Sequence, residues 1–283
     1  MKEKDNLKQE GHVSKIVDEF LANLEEHESE TQSFEPITTK REYPLDKLVS
    51  INHLVKEFKA KGKKFKAVND LNLDIYKGQN VALLGSNGAG KTTTVEMIVG
   101  ISKPTSGSIE FYFDDGVVSS SAAAKIGIQF QDSSYPQGLT VEDVIKSVNK
   151  IYGNITSEEE LKKIEKIFGV NEFINNKAAS LSGGQHQRLN ALLAIINKPE
   201  LLILDELSTG LDIKIKSRLM YFLKDFIKES NSTLLLVSHD INEIQTLADR
   251  IVIMNYGQIV YDRTKEEAIK EYGSLAKCLD TYI

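Results

Sequence analysis

The chain of 283 residues contains a single cysteine, Cys278, which excludes internal disulfides and metal clusters built on thiolates and fits a reducing compartment. So close to the C-terminus it reads as a small, buried or half-buried apolar residue. No apolar run approaches the roughly 18 residues of a membrane-spanning helix, and the first residues are too polar for a signal peptide, so a cytoplasmic location is expected. An excess of basic charge is also missing. Lys and Arg number 35 against 41 Asp and Glu, a net charge of −6, which argues against broad nucleic-acid binding. One local basic run, Lys56 to Lys66, has Gly62 between two short apolar runs and reads as a solvated hairpin turn. The remaining composition, 41% hydrophobic and 27% charged, is that of an ordinary soluble protein long enough to bury a full core.

Residues 1–44 differ in character from the rest. Val13, Ile16, Val17, Phe20, Leu21 and Leu24 recur at helical spacing, which predicts one amphipathic helix. The acidic, polar stretch from Glu25 to Pro44 looks like a linker. The helix suits either docking to a partner or folding back on its own domain, and its acidic balance disfavours a membrane surface. A second domain is expected over 45–283. In it Leu48 to Leu54 and Val68 to Tyr76 read as strands, the latter with Leu71, Leu73 and Ile75 alternating with polar residues as in a half-buried antiparallel sheet. Ile109 to Phe113 is expected to join them, and Ile126 to Phe130 is a further strand. Val141 to Gly169 carries helical spacing, with Thr156 and Glu159 as a capping box, inside a mostly helical insert over about 132–180. Leu189 to Ile196 and Arg218 to Lys228 read as helices, Leu201 to Leu204 and Thr233 to Val237 as buried strands. That alternation indicates a parallel sheet with helices on both faces. Ile251 to Met254 and Gln258 to Tyr261 form a hairpin around Asn255-Tyr256-Gly257, and Thr264 with Glu267 caps the terminal helix.

The stretch Gly85-Ser86-Asn87-Gly88-Ala89-Gly90-Lys91-Thr92, followed by Thr93 and Thr94, fits the phosphate-binding loop pattern GxxxxGK[ST]. A short apolar run, Val81 to Leu84, precedes it, and a helix from Thr92 to Val99 follows, ending at Gly100. Glycines let the backbone curl so that successive N–H groups point at phosphate oxygens, and the helix adds its positive end. Lys91 supplies charge to the outer phosphates, and the Thr92 hydroxyl can hold a bridging magnesium ion. A nucleotide triphosphate is the expected ligand. Such a loop needs an acidic residue at a neighbouring strand end. Leu201-Leu202-Ile203-Leu204-Asp205-Glu206 supplies Asp205 for magnesium and Glu206 to polarise a water. Ser182-Gly183-Gly184-Gln185 opens a helix and offers a second anion site, one serine hydroxyl and two glycine N–H groups. One triphosphate does not need two such sites, unless it is clamped between two copies of the chain.

Ser182-Gly183-Gly184-Gln185, lying between this phosphate loop and this acidic strand, resembles the signature of ATP-binding cassette ATPases, the motor subunits of ABC transporters. The resemblance runs from about Leu48 to about Glu267. Gln131 resembles the family's Q-loop glutamine, which touches magnesium and water and couples to the membrane partner. Ser208-Thr209-Gly210-Leu211-Asp212 resembles the D-loop of the dimer contact, and His239 the switch histidine at the γ-phosphate. Phe58 falls where the family stacks an aromatic on adenine, with Phe65 nearby. One departure is Leu207, where many members carry proline; it should alter loop stiffness more than chemistry.

The resemblance implies an α/β fold: a P-loop NTPase core with a mainly parallel sheet, an antiparallel β subdomain and a helical subdomain. It implies ATP and Mg2+ as ligands, with Thr92, Gln131 and Asp205 at the metal and Glu206, His239 and Gln131 in catalysis. It also implies a homodimer or heterodimer of ATPase subunits, held at the inner face of the cell membrane by separate transmembrane permease subunits. The Gly88-Ala89-Gly90 form of the loop, Tyr152-Gly153 and the short C-terminal region lean toward exporter-type cassettes. A soluble assembly ATPase is the alternative. A chromosome-associated ATPase is disfavoured because the segment between Gln131 and Ser182 is too short for a long coiled coil. Lys91, Asp205, Glu206 and His239 speak against a module that binds ATP without hydrolysing it.

Overall fold

The computed structural model describes residues 34–60, 63–113, 122–130, 134–207 and 210–283. The helix expected over Val13 to Leu24, Gly62, Gln131 and the Ser208-Thr209 pair lie outside the described residues. The described compact unit begins at Pro36 and runs to Ile283.

Short, uninterrupted apolar runs make the buried strands, because a parallel sheet covered on both faces has no wet side. Val81–Leu84 (β3), Leu201–Asp205 (β6) and Thr233–Val237 (β7) are buried at every position. With Ile126–Gln129 (β5), Arg250–Asn255 (β8) and Gln258–Thr264 (β9) they form a six-stranded sheet ordered β5-β6-β7-β3-β8-β9. All its pairings are parallel except β8 with β9, the hairpin at one edge. The turn of that hairpin has positive φ at both Tyr256 (45°) and Gly257 (78°), the backbone twist a two-residue hairpin requires. A separate antiparallel sheet ordered β2-β1-β4 is built from Lys47–Ala60 (β1), Lys63–Tyr76 (β2) and Ser106–Phe111 (β4). The β1–β2 pairing reaches Ala60 opposite Lys63.

Lys91–Ile98 (α1) follows β3. Val141–Ile151 (α2) and Glu158–Phe168 (α3) occupy the expected helical insert, Gly183–Ile195 (α4) leads into β6, and Ile213–Glu229 (α5) lies between β6 and β7. Ile241–Leu247 (α6), Lys265–Tyr272 (α7) and Leu275–Tyr282 (α8) complete the helices of the described residues. Thr264 and Glu267 form the expected capping box of α7, and Cys278 is buried.

Two local expectations are corrected. The capping box of α3 is Ser157 with Glu160, not Thr156 with Glu159. Thr156 is buried and donates its hydroxyl to the Ile196 carbonyl at 2.6 Å, so it is not available to cap. The polar face of β2 is not solvated, since Asn72 and Asp74 are buried. Asp74 Oδ1 accepts from Ser50 Oγ and Lys40 Nζ, both at 2.6 Å, and Lys47 Nζ forms an ion pair with the other oxygen at 2.7 Å. The end of the linker-like stretch is bound to the compact unit that begins at Pro36. The Ile37 amide donates to the Ile259 carbonyl on the edge strand β9 at 2.7 Å. Arg41 pairs with Glu267 at 2.6 Å, and Tyr43 packs edge-on to Tyr76.

Candidate functional site

The loop between β3 and α1 is pressed between two other segments. A Cβ on Gly85 would lie 2.3 Å from the Met254 carbonyl oxygen, and one on Gly90 would lie 2.4 Å from that of Ala67. Both glycines also have positive φ, 144° and 101°, so no side chain fits these positions. The turn of the β8–β9 hairpin holds the loop in place: the Gly257 amide donates to the Ala89 carbonyl, while the Gly257 carbonyl accepts from Asn69, both at 2.9 Å. Lys91 is buried, and its ammonium donates to the Gly85 and Ser86 carbonyls at 2.7 and 3.1 Å. Burial pushes its pKa below the usual lysine value, against the pull of Asp205 and Glu206.

Asp205 closes β6 and is buried. Burial, and then the neighbouring Glu206, push its carboxyl up to about 6, with Lys91 opposing. Glu206 has φ 53°, a left-handed backbone that costs a non-glycine residue on the order of 1 kcal/mol or more. Its amide donates to the Val237 carbonyl at 2.8 Å, so the end of β7 holds the turn. His239, exposed, follows two residues after β7.

One cavity of about 350 Å³ joins these parts. Asn87, Gly88, Ala89, Gly90, Lys91, Thr92 and Thr93 line it from the loop, Asp205 and Glu206 from β6, and His239 from beyond β7. Phe58 and Phe65 line it as well. They face each other across β1 and β2 with ring centroids 5.7 Å apart and planes at 29°, so an aromatic pair, and not Phe58 alone, borders the cavity. Among the described residues no cluster of three His, Cys, Asp or Glu is arranged to hold a metal. The two ligands expected for the ion, the Thr92 hydroxyl and the Asp205 carboxylate, both line the cavity and are too few for a dedicated cage. They fit magnesium, which keeps several waters and takes oxygens from bound phosphates.

Ser182, Gly183, Gly184 and Gln185 are not among the residues lining this cavity. They form the start of α4 as a capping box, in which Ser182 Oγ accepts from the Gln185 amide and Gln185 Oε1 from the Ser182 amide. Gly184 lies against the backbone of Gly210, where a Cβ would meet the carbonyl oxygen at 2.8 Å. Sequence reasoning overlooked two residues near His239, Lys216 and Glu243. Lys216 bonds a residue 24 positions away, and nothing in its local sequence signals that.

A family model described as "ABC transporter" matches residues 68–209, from β2 through the loop and β6. The chain belongs to the ABC transporter family. The spermidine/putrescine import ATP-binding protein of Spiroplasma citri is 37% identical over 71% of this cassette and 58% of its own length. The energy-coupling factor transporter ATP-binding protein of Clostridium tetani is 33% identical over 74% of the cassette and 76% of its own length. The cassette thus spans little more than half of the first relative and three quarters of the second. Among solved structures, a dimeric ATP-binding cassette in a post-hydrolysis state, bound to ADP and Pi, superposes with a TM-score of 0.67 at 28% identity. The match covers 77% of this chain and 98% of that one. The cassette therefore has the P-loop NTPase fold of ABC transporter ATP-binding subunits. Among its described residues, no helix is long and apolar enough to cross a membrane.

Proposed function

We propose that this cassette hydrolyses ATP to ADP and phosphate as the motor subunit of an ABC transporter. It works as a homodimer or heterodimer, at the inner face of the membrane, beneath separate membrane-spanning permease subunits. The observation that carries the reading is the convergence of Lys91, Thr92, Asp205, Glu206 and His239 on one cavity from one loop and two strand ends. The loop amides and Lys91 bind the phosphates, Thr92, Asp205 and Gln131 hold magnesium, and the Phe58–Phe65 pair stacks on the base. Magnesium, when bound, supplies neutralisation of charge on the outer phosphates. Glu206 orients a water and accepts its proton as the oxygen attacks the γ-phosphorus. His239 and Gln131 contact the γ-phosphate. Ser182 to Gln185, absent from the chain's own cavity, complete the site from a second copy, which gives a two-fold dimer with two shared sites.

The dimeric cassette of the solved structure supports this arrangement, and the names of the relatives support a place in transport. The outward lean of the Gly88-Ala89-Gly90 and Tyr152-Gly153 motifs gains no support from the Spiroplasma citri relative, which is named for import. Glu206→Gln tests the chemistry. Steady-state turnover should fall by about 10²-fold or more, while ATP-dependent dimerisation on size exclusion persists. Undiminished turnover would sink the assignment. Recovery of the chain from membranes with a multi-span protein separates a transporter from a soluble assembly ATPase.

A further inference from the structure

We infer that Lys216 is a positioning residue for His239, tying the segment that carries the histidine to the helix that starts at Asp212. The inference rests on the reading of the cavity as an ATP-hydrolysing centre. His239 is exposed, yet both of its neighbours are held. Ser238, buried, donates its hydroxyl to Glu243 Oε2 at 2.6 Å and accepts from the Asp240 amide at 3.0 Å. Asp240 is the N-cap of α6, its Oδ1 accepting from the amides of Asn242 and Glu243 at 2.9 and 3.1 Å. The other oxygen of Asp240, Oδ2, accepts a short ion-paired hydrogen bond from Lys216 Nζ.

Lys216 reaches this point from the first turn of α5. Its own amide donates to the Asp212 carbonyl at 2.9 Å, and Asp212 Oδ1 caps the amides of Lys214 and Ile215, both at 3.0 Å. One side chain thus joins the capped start of α5 to the capped start of α6, and His239 lies immediately before the second cap. In the proposed dimer, Asp212 belongs to the contact between subunits, so this bridge runs from that contact to the γ-phosphate sensor.

The charges explain why the bridge matters. Glu243 is 1% exposed, and its Oε1 has no hydrogen-bond partner among the described residues; the nearest cation is Lys216 Nζ, 4.0 Å away. Lys216 therefore serves two carboxylates, Asp240 and Glu243. Burial would raise the Asp240 carboxyl, but the hydrogen bonds from Lys216 and from the cap amides bring it below the usual range. Without the ammonium, two like charges sit within one helical turn, offset only by the cap amides and the Ser238 hydroxyl. Glu243 is locked in the core, so relief comes from movement of the Ser238–Asp240 segment, and His239 moves with it. The grip of the phosphate loop on ATP, made by Lys91 and the loop backbone, is left as it was.

The test is magnesium-dependent ATP turnover by the full chain carrying Lys216→Met, Lys216→Arg or Asp240→Asn. In Lys216→Met kcat should fall on the order of tenfold, the scale of a displaced catalytic group, with KM for ATP within about twofold of wild type and a similar melting temperature. Lys216→Arg should restore most of the rate. Asp240→Asn keeps the cap and removes one of the two like charges, so it should lose less rate than Lys216→Met, and added to Lys216→Met it should recover part of the rate. A wild-type kcat in Lys216→Met refutes the inference, as does a loss that Arg fails to rescue and that accompanies a lowered melting temperature. A wild-type chain with no magnesium-dependent turnover refutes the parent reading, and this inference with it. A hydrolysing wild type with an unaffected Lys216→Met refutes the inference alone.

Discussion

Asp262→Asn should destabilise the protein well out of proportion to the single atom exchanged. Its partner, Arg250, opens β8 and is fully buried. Arg250 Nε and Nη2 donate to the two Asp262 oxygens at 2.7 and 2.6 Å, and Nη1 donates to the Asp74 carbonyl at 2.8 Å and to Gln79 Oε1 at 3.3 Å. The guanidinium also lies over the Tyr43 ring, 4.7 Å from its centroid. Asparagine offers one acceptor where aspartate offers two, and no charge, so the guanidinium is left buried without a counter-ion. Breaking one partner of a buried pair costs about 3–5 kcal/mol. The bonds to Asp74 and Gln79 remain, which puts the expectation at the lower end, about 3 kcal/mol. For a domain of this size that corresponds to a melting temperature lower by about 6–12 °C. The assay is thermal unfolding of the nucleotide-free chain. The Arg250→Met, Asp262→Leu double variant is the control. It removes both charges and leaves mainly the Asp74 carbonyl without its donor, a cost of about 1–3 kcal/mol. It should therefore unfold at a higher temperature than Asp262→Asn. A single variant within about 1 kcal/mol of wild type, or a double variant less stable than the single, would refute the reasoning.

Gly90→Ala places a Cβ 2.4 Å from the Ala67 carbonyl oxygen at φ 101°. The loop must move off β2, and affinity for a fluorescent ATP analogue should weaken by at least about tenfold, with Gly78→Ala, which meets nothing within 4 Å, as the control for φ strain alone. At the start of α3, Ser157→Ala should cost about 1 kcal/mol in urea unfolding as a lost cap. Thr156→Val should cost about 1–3 kcal/mol, because the buried Ile196 carbonyl loses its donor. Equal, negligible effects at both positions would contradict the corrected cap.

The parts of the site that lie close together in sequence could be read there. The loop from Gly85 to Thr92 is contiguous, and its chemistry needs only backbone freedom and one ammonium. The apolar runs of β3, β6 and β7 announce strands buried on both faces, and Thr264 with Glu267 announces a helix start. Local pattern failed where two choices were locally equal. Thr156 and Ser157 each carry a hydroxyl with a glutamate three residues on, and only the Ile196 carbonyl, 40 residues away, separates them. Nothing local in the linker-like stretch marks Lys40 and Arg41 as paired, because their partners, Asp74 and Glu267, are 34 and 226 residues distant. The alternation in β2 suggested a wet face for the same reason, since the groups that cover Asp74 come from outside that strand.

The sequence by itself therefore determined the GxxxxGK[ST] pattern from Gly85 to Thr92, the apolar run ending in Asp205 and Glu206, the Ser182 to Gln185 helix start and the mixed α/β order, since each is a local pattern. Only the tertiary structure decided that Lys91, Asp205, Glu206 and His239 share one cavity and that Ser182 to Gln185 stand outside it. It likewise decided that Lys216 on α5 pairs with Asp240, the residue after His239. Those outcomes depend on strand order and on charges finding partners across the fold, which no local pattern encodes.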